Sequence, residues 1–156
     1  MNKFKIETRN PKETMRLGEY LAQGLKGGDI LCLSGDLGSG KTTFVKGLAH
    51  GLKIDEKKVN SPTFVLMNVY EGKLPLYHFD FYRFEDPKEI VGIGYDEFLY
   101  GKGVAVIEWA ERFGTLMPPE RLEIKLSHSG DDSRTLEFIP HGEKYNTLIK
   151  KINTKH

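Results

Sequence analysis

The sequence predicts an α/β domain built around a phosphate-binding loop, and three observations carry that reading. Gly35-Asp36-Leu37-Gly38-Ser39-Gly40-Lys41-Thr42 has the G-x-x-x-x-G-K-[ST] spacing, entered by the apolar run Ile30-Leu31-Cys32-Leu33 and left by a helix-like segment, Thr43 to Gly51. Two short unbroken apolar runs, Ile30–Leu33 and Val104–Ile107, suit strands buried on both faces of a parallel sheet. The last forty residues read as a hairpin followed by an amphipathic helix.

In the loop, the glycines let the backbone curl so that successive N–H groups face one anion, with the positive end of the next helix aimed at the same point. Asp36, Leu37, Gly38, Ser39 and Gly40 are the expected cradle. Lys41 is placed to reach the β/γ-phosphates of a nucleotide, and Thr42 to set its hydroxyl on Mg²⁺.

The chain has 156 residues, 38% hydrophobic and 29% charged, the size and balance of one globular domain. No apolar run approaches the roughly 20 residues of a membrane helix, and Met1–Glu7 lacks the apolar stretch of a signal peptide, so a cytoplasmic location is expected. A formal net charge of +1 argues against a basic face that grips nucleic acid unaided. Cys32 is the single cysteine; it lies in the strand feeding the loop and is expected to be buried.

Taken in order, residues 3 to 8 alternate polar and apolar as an edge strand, and Asn10-Pro11 caps a helix expected to run to Lys26, where Gly27-Gly28 would end it. After the loop helix, Asp55–Lys58 is a surface connection leading to Ser61-Pro62-Thr63-Phe64. Pro62 forces Ser61 extended and holds two hydroxyls in a loop, as in segments that sense a γ-phosphate. Phe64–Tyr70 and Leu74–Tyr82 form a hairpin around Glu71-Gly72-Lys73. In its second strand Tyr77, Phe79 and Phe81 share one face, His78, Asp80 and Tyr82 the other.

An acid between two phenylalanines needs a reason. On a face that meets the loop, Asp80 would bind Mg²⁺ directly or through water, whereas His78 reads as a structural, hydrogen-bonded histidine. A short helix is expected around Tyr95 to Tyr100. The strand Val104–Ile107 then ends on Glu108, where a parallel sheet presents an acid to a ligand at its carboxyl edge. Glu108 would polarise the attacking water, hold Mg²⁺ through water, or do both. Trp109 either covers the site or packs, and Glu111 and Arg112 read as an ion pair on a short helix. Leu122, Ile124 and Leu126 alternate opposite Leu136 and Phe138 in the hairpin after Pro118-Pro119. Tyr145, Leu148, Ile149 and Ile152 line the final helix.

Four segments, Gly35 to Thr43, Ser61-Pro62-Thr63-Phe64, Tyr77-His78-Phe79-Asp80-Phe81-Tyr82-Arg83 and Val106-Ile107-Glu108-Trp109-Ala110-Glu111-Arg112, together resemble the TsaE (YjeE) family over nearly the whole chain. The loop is generic, but the other three in this order are specific. The resemblance implies a three-layer, P-loop NTPase-like α/β fold with a mixed, mainly parallel central sheet, and an Mg²⁺-dependent ATPase. That ATPase supports N6-threonylcarbamoylation of adenosine 37 in tRNAs reading ANN codons. By the same resemblance Lys41 and Thr42 serve nucleotide and Mg²⁺, Asp80 and Glu108 are the acidic pair, and Thr43 is a phosphate-side hydroxyl. Adenine contacts are expected near Thr8 and Arg134. The implied partners are the transferase TsaD and its companion TsaB, with tRNA held mostly by them. A nucleotide-gated binding module and a small-molecule kinase are the alternatives. The kinase lacks an arginine-rich lid, since Arg83, Arg112, Arg121 and Arg134 are scattered.

Overall fold

A computed structural model describes residues 3–36, 38–60, 67–92 and 94–155, so that Leu37 and the whole of Ser61-Pro62-Thr63-Phe64 lie outside the described residues. Seven strands form one sheet: β1 (Phe4–Thr8), β2 (Ile30–Ser34), β3 (Met67–Tyr70), β4 (Leu76–Asp80), β5 (Val104–Glu108), β6 (Arg121–His128) and β7 (Arg134–His141). Their order is β1-β7-β6-β2-β5-β4-β3. The inner run β6-β2-β5-β4 pairs parallel, while β7 and β3 are antiparallel to their neighbours. Five strands therefore point one way and two the other, the mixed, mainly parallel sheet expected.

Among the described residues five α-helices cover it: α1 (Pro11–Ala22), α2 (Lys41–Gly51), α3 (Pro87–Val91), α4 (Asp96–Leu99) and α5 (Glu143–Lys155). The period-2 geometry of each strand sorts the core into two halves. Leu31, Leu33, Val106, Leu122 and Ile124 pack on Leu17 and Leu21 of α1, Phe44 and Leu48 of α2, and Leu148 and Ile152 of α5. Ile30, Cys32, Phe79, Ala105 and Ile107 face the other way, onto Ile90, Leu99 and Phe113. The result is three layers with every residue of β5 buried.

The capping reading of Asn10 holds: its side chain accepts from Glu13 N at 2.9 Å, with Pro11 opening the helix. The helix stops at Ala22 rather than Lys26. Gln23, Gly24 and Leu25 make i→i−3 turn bonds, and Gly24 passes so close to Leu148 that an added Cβ would lie 2.5 Å from its Cδ1. The chain tightens there to seat Leu25 in the core. The strand expected to reach Tyr82 ends at Asp80, because Phe84 N turns back onto Phe81 O. Asp86 caps α3, a helix the sequence reading left unassigned, and α2 begins at Lys41, two residues ahead of the expected start. The terminal hairpin has the expected register, Ile124 opposite Phe138 and Leu126 opposite Leu136. Among the described residues no helix is long and apolar enough to cross a membrane.

Candidate functional site

Three parallel strands deliver their carboxyl ends to one place. β2 ends at Ser34 and runs into the glycine-rich loop, β5 ends at Glu108, and β4 ends at Asp80. Leu33 pairs with Glu108 and Glu108 with Asp80, so both acids stand on adjacent strands beside the loop's entry. Glu108 and Val106 lie two apart, and Val106 packs with the α2 layer; the same alternation puts His78 and Asp80 on that face. The acids therefore face the layer whose helix begins at Lys41. Both are almost wholly buried, Asp80 2% and Glu108 3% exposed.

The loop has the curled backbone that anion binding requires. Gly35, Gly38 and Gly40 have φ of 146°, 77° and 102°, and Gly40 caps α2 without a side chain. The first N–H to close a helical turn is that of Phe44, onto Gly40 O at 2.9 Å, which leaves those of Lys41, Thr42 and Thr43 without an intrahelical acceptor. The Ser39 hydroxyl is buried with no hydrogen-bond partner. These unmet donors fit a phosphate chain. Hard oxygen donors at Asp80, Glu108 and Thr42 fit Mg²⁺. Among the described residues no group of three or more His, Cys, Asp or Glu could hold a metal, so a cation here would draw further oxygens from the phosphates.

Lys41 is 5% exposed. Its Nζ donates to the carbonyl of Gly35 and, at 3.0 Å, to that of Asp36, and it lies 4.3 Å from the centre of the Trp109 ring. Burial pushes its pKa below the ordinary lysine range, while the charges of Glu108, Glu111, Asp80 and Asp36 pull it back up. Trp109 has φ 58° and ψ 42°, a left-handed conformation rare for a bulky residue. That turn swings the indole over Lys41, with Tyr82 at 4.9 Å between ring centres on one side and the Arg112 guanidinium at 5.7 Å. Trp109 thus meets both of its sequence readings: its indole lies over Lys41 and it packs against the second core. Arg112 meets the indole, and no ion pair with Glu111 is found among the described residues.

Arg134 is at the loop: Nη2 donates to Gly38 O at 3.1 Å, and Nη1 to Ser133 O and Asp131 O at 2.8 and 3.0 Å. With Pro11, Thr14, Gly40, Thr43 and Asp132 it lines a shallow cleft beside the loop. Thr8 pairs with Arg134 across the sheet but is only 3% exposed, its hydroxyl engaged with that of Thr14 at 2.6 Å. Thr14, absent from the sequence reading, also borders the cleft, but it is 1% exposed and its hydroxyl is the other half of that bond.

The described part of the chain also has its counterparts among known proteins. The family described as "Threonylcarbamoyl adenosine biosynthesis protein TsaE" matches residues 8–136. The chain belongs to the TsaE family. A tRNA threonylcarbamoyladenosine biosynthesis protein TsaE from Bacillus subtilis is 45% identical over 154 residues, covering 98% of this chain and 96% of its own length. That from Treponema pallidum is 43% identical over 129 residues, 83% of this chain and 95% of the relative. The crystal structure of Bacillus subtilis YdiB superposes with a TM-score of 0.83 at 38% identity, over 99% of this chain and 96% of that one. The sheet order and the carboxyl-edge site described above are thus set in a TsaE-family fold.

One buried contact at this site was missed by sequence reasoning. His78 Nε2 lies 2.5 Å from Glu108 Oε2, and His78 Nδ1 lies 3.2 Å from the Tyr70 hydroxyl. The hairpin register sets β3 beside β4, but the parallel pairing that brings β5 to β4, and with it Glu108 to His78, is not a local pattern.

Proposed function

We propose that this TsaE-family protein binds ATP with Mg²⁺ at the carboxyl edge of β2, β5 and β4 and hydrolyses it. In this role it is the ATPase subunit required for N6-threonylcarbamoylation of adenosine 37 in tRNAs reading ANN codons, acting on the TsaD/TsaB transferase complex. The observation that carries the reading is the pair of buried acids, Asp80 and Glu108, in register on adjacent parallel strands beside a curled loop with unmet N–H donors.

In this reading the N–H groups at the start of α2 bind phosphate oxygens, and the Ser39 hydroxyl supplies a further donor. Lys41 exchanges the carbonyls of Gly35 and Asp36 for the β/γ-phosphates. Bound Mg²⁺ supplies positive charge that offsets the charge on the phosphates. Thr42, Asp80 and Glu108 would hold it. Glu108 accepts a hydrogen bond from the attacking water and orients it. Trp109 excludes bulk water from Lys41, and Arg134 with Thr43 offers polar contacts next to the loop. A net charge of +1 leaves most of the grip on tRNA to the partners.

The test is Mg²⁺-dependent ATP hydrolysis with and without the partner proteins, for the wild type and Glu108→Ala. Slow turnover alone, stimulation by the partners, and a variant that binds ATP but stalls modification are expected. If modification by the variant proceeds through many cycles at the normal rate, the protein is a nucleotide-gated binding module rather than a working ATPase.

A further inference from the structure

A carboxylate buried as deeply as Glu108 needs a partner, because an ionised group withdrawn from water without one is strongly destabilising. Its partner is His78, itself 0% exposed, through Nε2 and Oε2. The imidazole is anchored in turn. The Tyr70 hydroxyl meets Nδ1 at 3.2 Å, accepts from Asn68 Nδ2 at 3.1 Å and Asn60 N at 3.3 Å, and lies 3.2 Å from Asn60 O. Proton accounting closes this chain. With Nε2–H donating to the Glu108 carboxylate, Nδ1 is an acceptor that shares the single Tyr70 O–H with Asn60 O, both at 3.2 Å, and the Tyr70 oxygen takes the two N–H bonds from Asn60 and Asn68.

Tyr70, His78 and Glu108 stand on β3, β4 and β5 in turn, so the chain crosses three strands on the face that also carries the buried apolar residues Leu76 and Val106. Apolar side chains of similar size would fill that space without the desolvation cost. A polar chain that ends on one acid, and engages only Oε2 of it among the described residues, fixes the carboxylate's rotamer and leaves Oε1 to a ligand. We propose that His78, oriented by Tyr70, is the positioning residue for Glu108 and sets the angle at which Oε1 meets the attacking water. This rests on the hydrolytic role proposed for Glu108.

The experiment measures kcat and KM for ATP, ATP affinity, and thermal stability for His78→Leu, His78→Gln and Tyr70→Phe. Removing such an orienting partner typically costs about 10- to 100-fold. For His78→Leu that loss should fall on kcat, with ATP affinity within about threefold. His78→Gln, whose amide N–H stands where Nε2 stood, should recover most of it. Tyr70→Phe, which removes one hydroxyl and should fold, should lower kcat less. In a Glu108→Gln background Tyr70→Phe should have no further effect, since both act through one carboxylate.

A second readout needs no turnover. In nucleotide-free protein, the imidazole ¹⁵N signals of His78 should move in both Tyr70→Phe and Glu108→Gln. Folded His78→Leu or Tyr70→Phe with wild-type kcat while Glu108→Gln is slow, an additive loss in the double variant, or unmoved imidazole signals would each overturn the positioning role. Wild-type hydrolysis by Glu108→Gln would instead remove the hydrolytic role itself.

Discussion

Replacing Lys41 by alanine separates what the side chain does for the fold from what it does for a ligand. In the nucleotide-free protein the ammonium donates to two carbonyls of its own loop and lies over Trp109. Hydrogen bonds to a charged group are each worth about 1.5–3 kcal/mol and an indole contact about 1–2 kcal/mol. Against these stands desolvation, which costs several kcal/mol for a buried ion. The two sides are of similar size and largely offset, and the lowered pKa of Lys41 agrees that burial disfavours the charged form. Lys41→Ala should therefore leave the stability of the free protein nearly unchanged, or raise it slightly, as measured by urea unfolding. ATP affinity should respond differently. In the proposed ATP complex Lys41 would give up its loop carbonyls for phosphate oxygens, and the net gain would be one strong charge-assisted contact, about 1.5–3 kcal/mol. Its loss weakens binding by about 10- to 150-fold, at about 1.4 kcal/mol per tenfold. Titration calorimetry with Mg-ATP reads this directly. Affinity within twofold of wild type in a folded variant would refute the placement of the phosphates at Lys41.

Two further expectations concern the scaffold. In Gly47→Ala, on the helix that carries the loop, the new Cβ would lie 2.0 Å from the backbone oxygen of Met15; because the obstacle is backbone, parting α1 from α2 costs about 3 kcal/mol, the upper end of the overpacking range. Helix propensity returns about 1 kcal/mol, so a thermal midpoint lower by several degrees is expected, and an unchanged midpoint would contradict the close helix contact. Cys32 is wholly buried and its thiol is pushed up to about 12 by burial. The unfolded chain, with a thiol pKa of about 8.5, loses that proton first, so stability falls as pH rises above about 8.5. Between about pH 7.5 and 9.5 urea unfolding should show wild type losing about 1.4 kcal/mol more than Cys32→Ala. Equal losses would mean that the thiol is not held protonated by the fold.

Where sequence and structure agree, the signal was short-range or strictly periodic. The two-faced burial of β2 and β5 was legible because a run such as Ile30-Leu31-Cys32-Leu33 has no polar residue to spare for solvent, and the fold places Leu31 and Leu33 in one core and Ile30 and Cys32 in the other. The Asn10 cap, the hairpin register and the apolar stripe of α5 follow from the same kind of pattern. Boundaries set by tertiary contact were not legible. Nothing in Gln23-Gly24-Leu25-Lys26 announces that Leu148, more than a hundred residues on, closes against Gly24 and ends α1 early.

The site divides along the same line. Asp80 and Glu108 could be singled out because each ends or interrupts an apolar run, and an acid in such a place has a cost that local structure does not repay. Their register on adjacent strands follows from β4 and β5 pairing, which the sequence only suggested. Trp109 could be noticed as the lone tryptophan, yet its position over Lys41 depends on a left-handed backbone at a bulky residue that no propensity would choose. His78 illustrates the limit most sharply. Read along its own strand it is a buried polar residue in need of a hydrogen bond, and that reading is correct. Only the neighbours on either side, Tyr70 on β3 and Glu108 on β5, show that the bond it makes ends on the acid proposed to orient water. Strand pairing thus turns a residue that sequence marks as structural into one that can govern the geometry of the site.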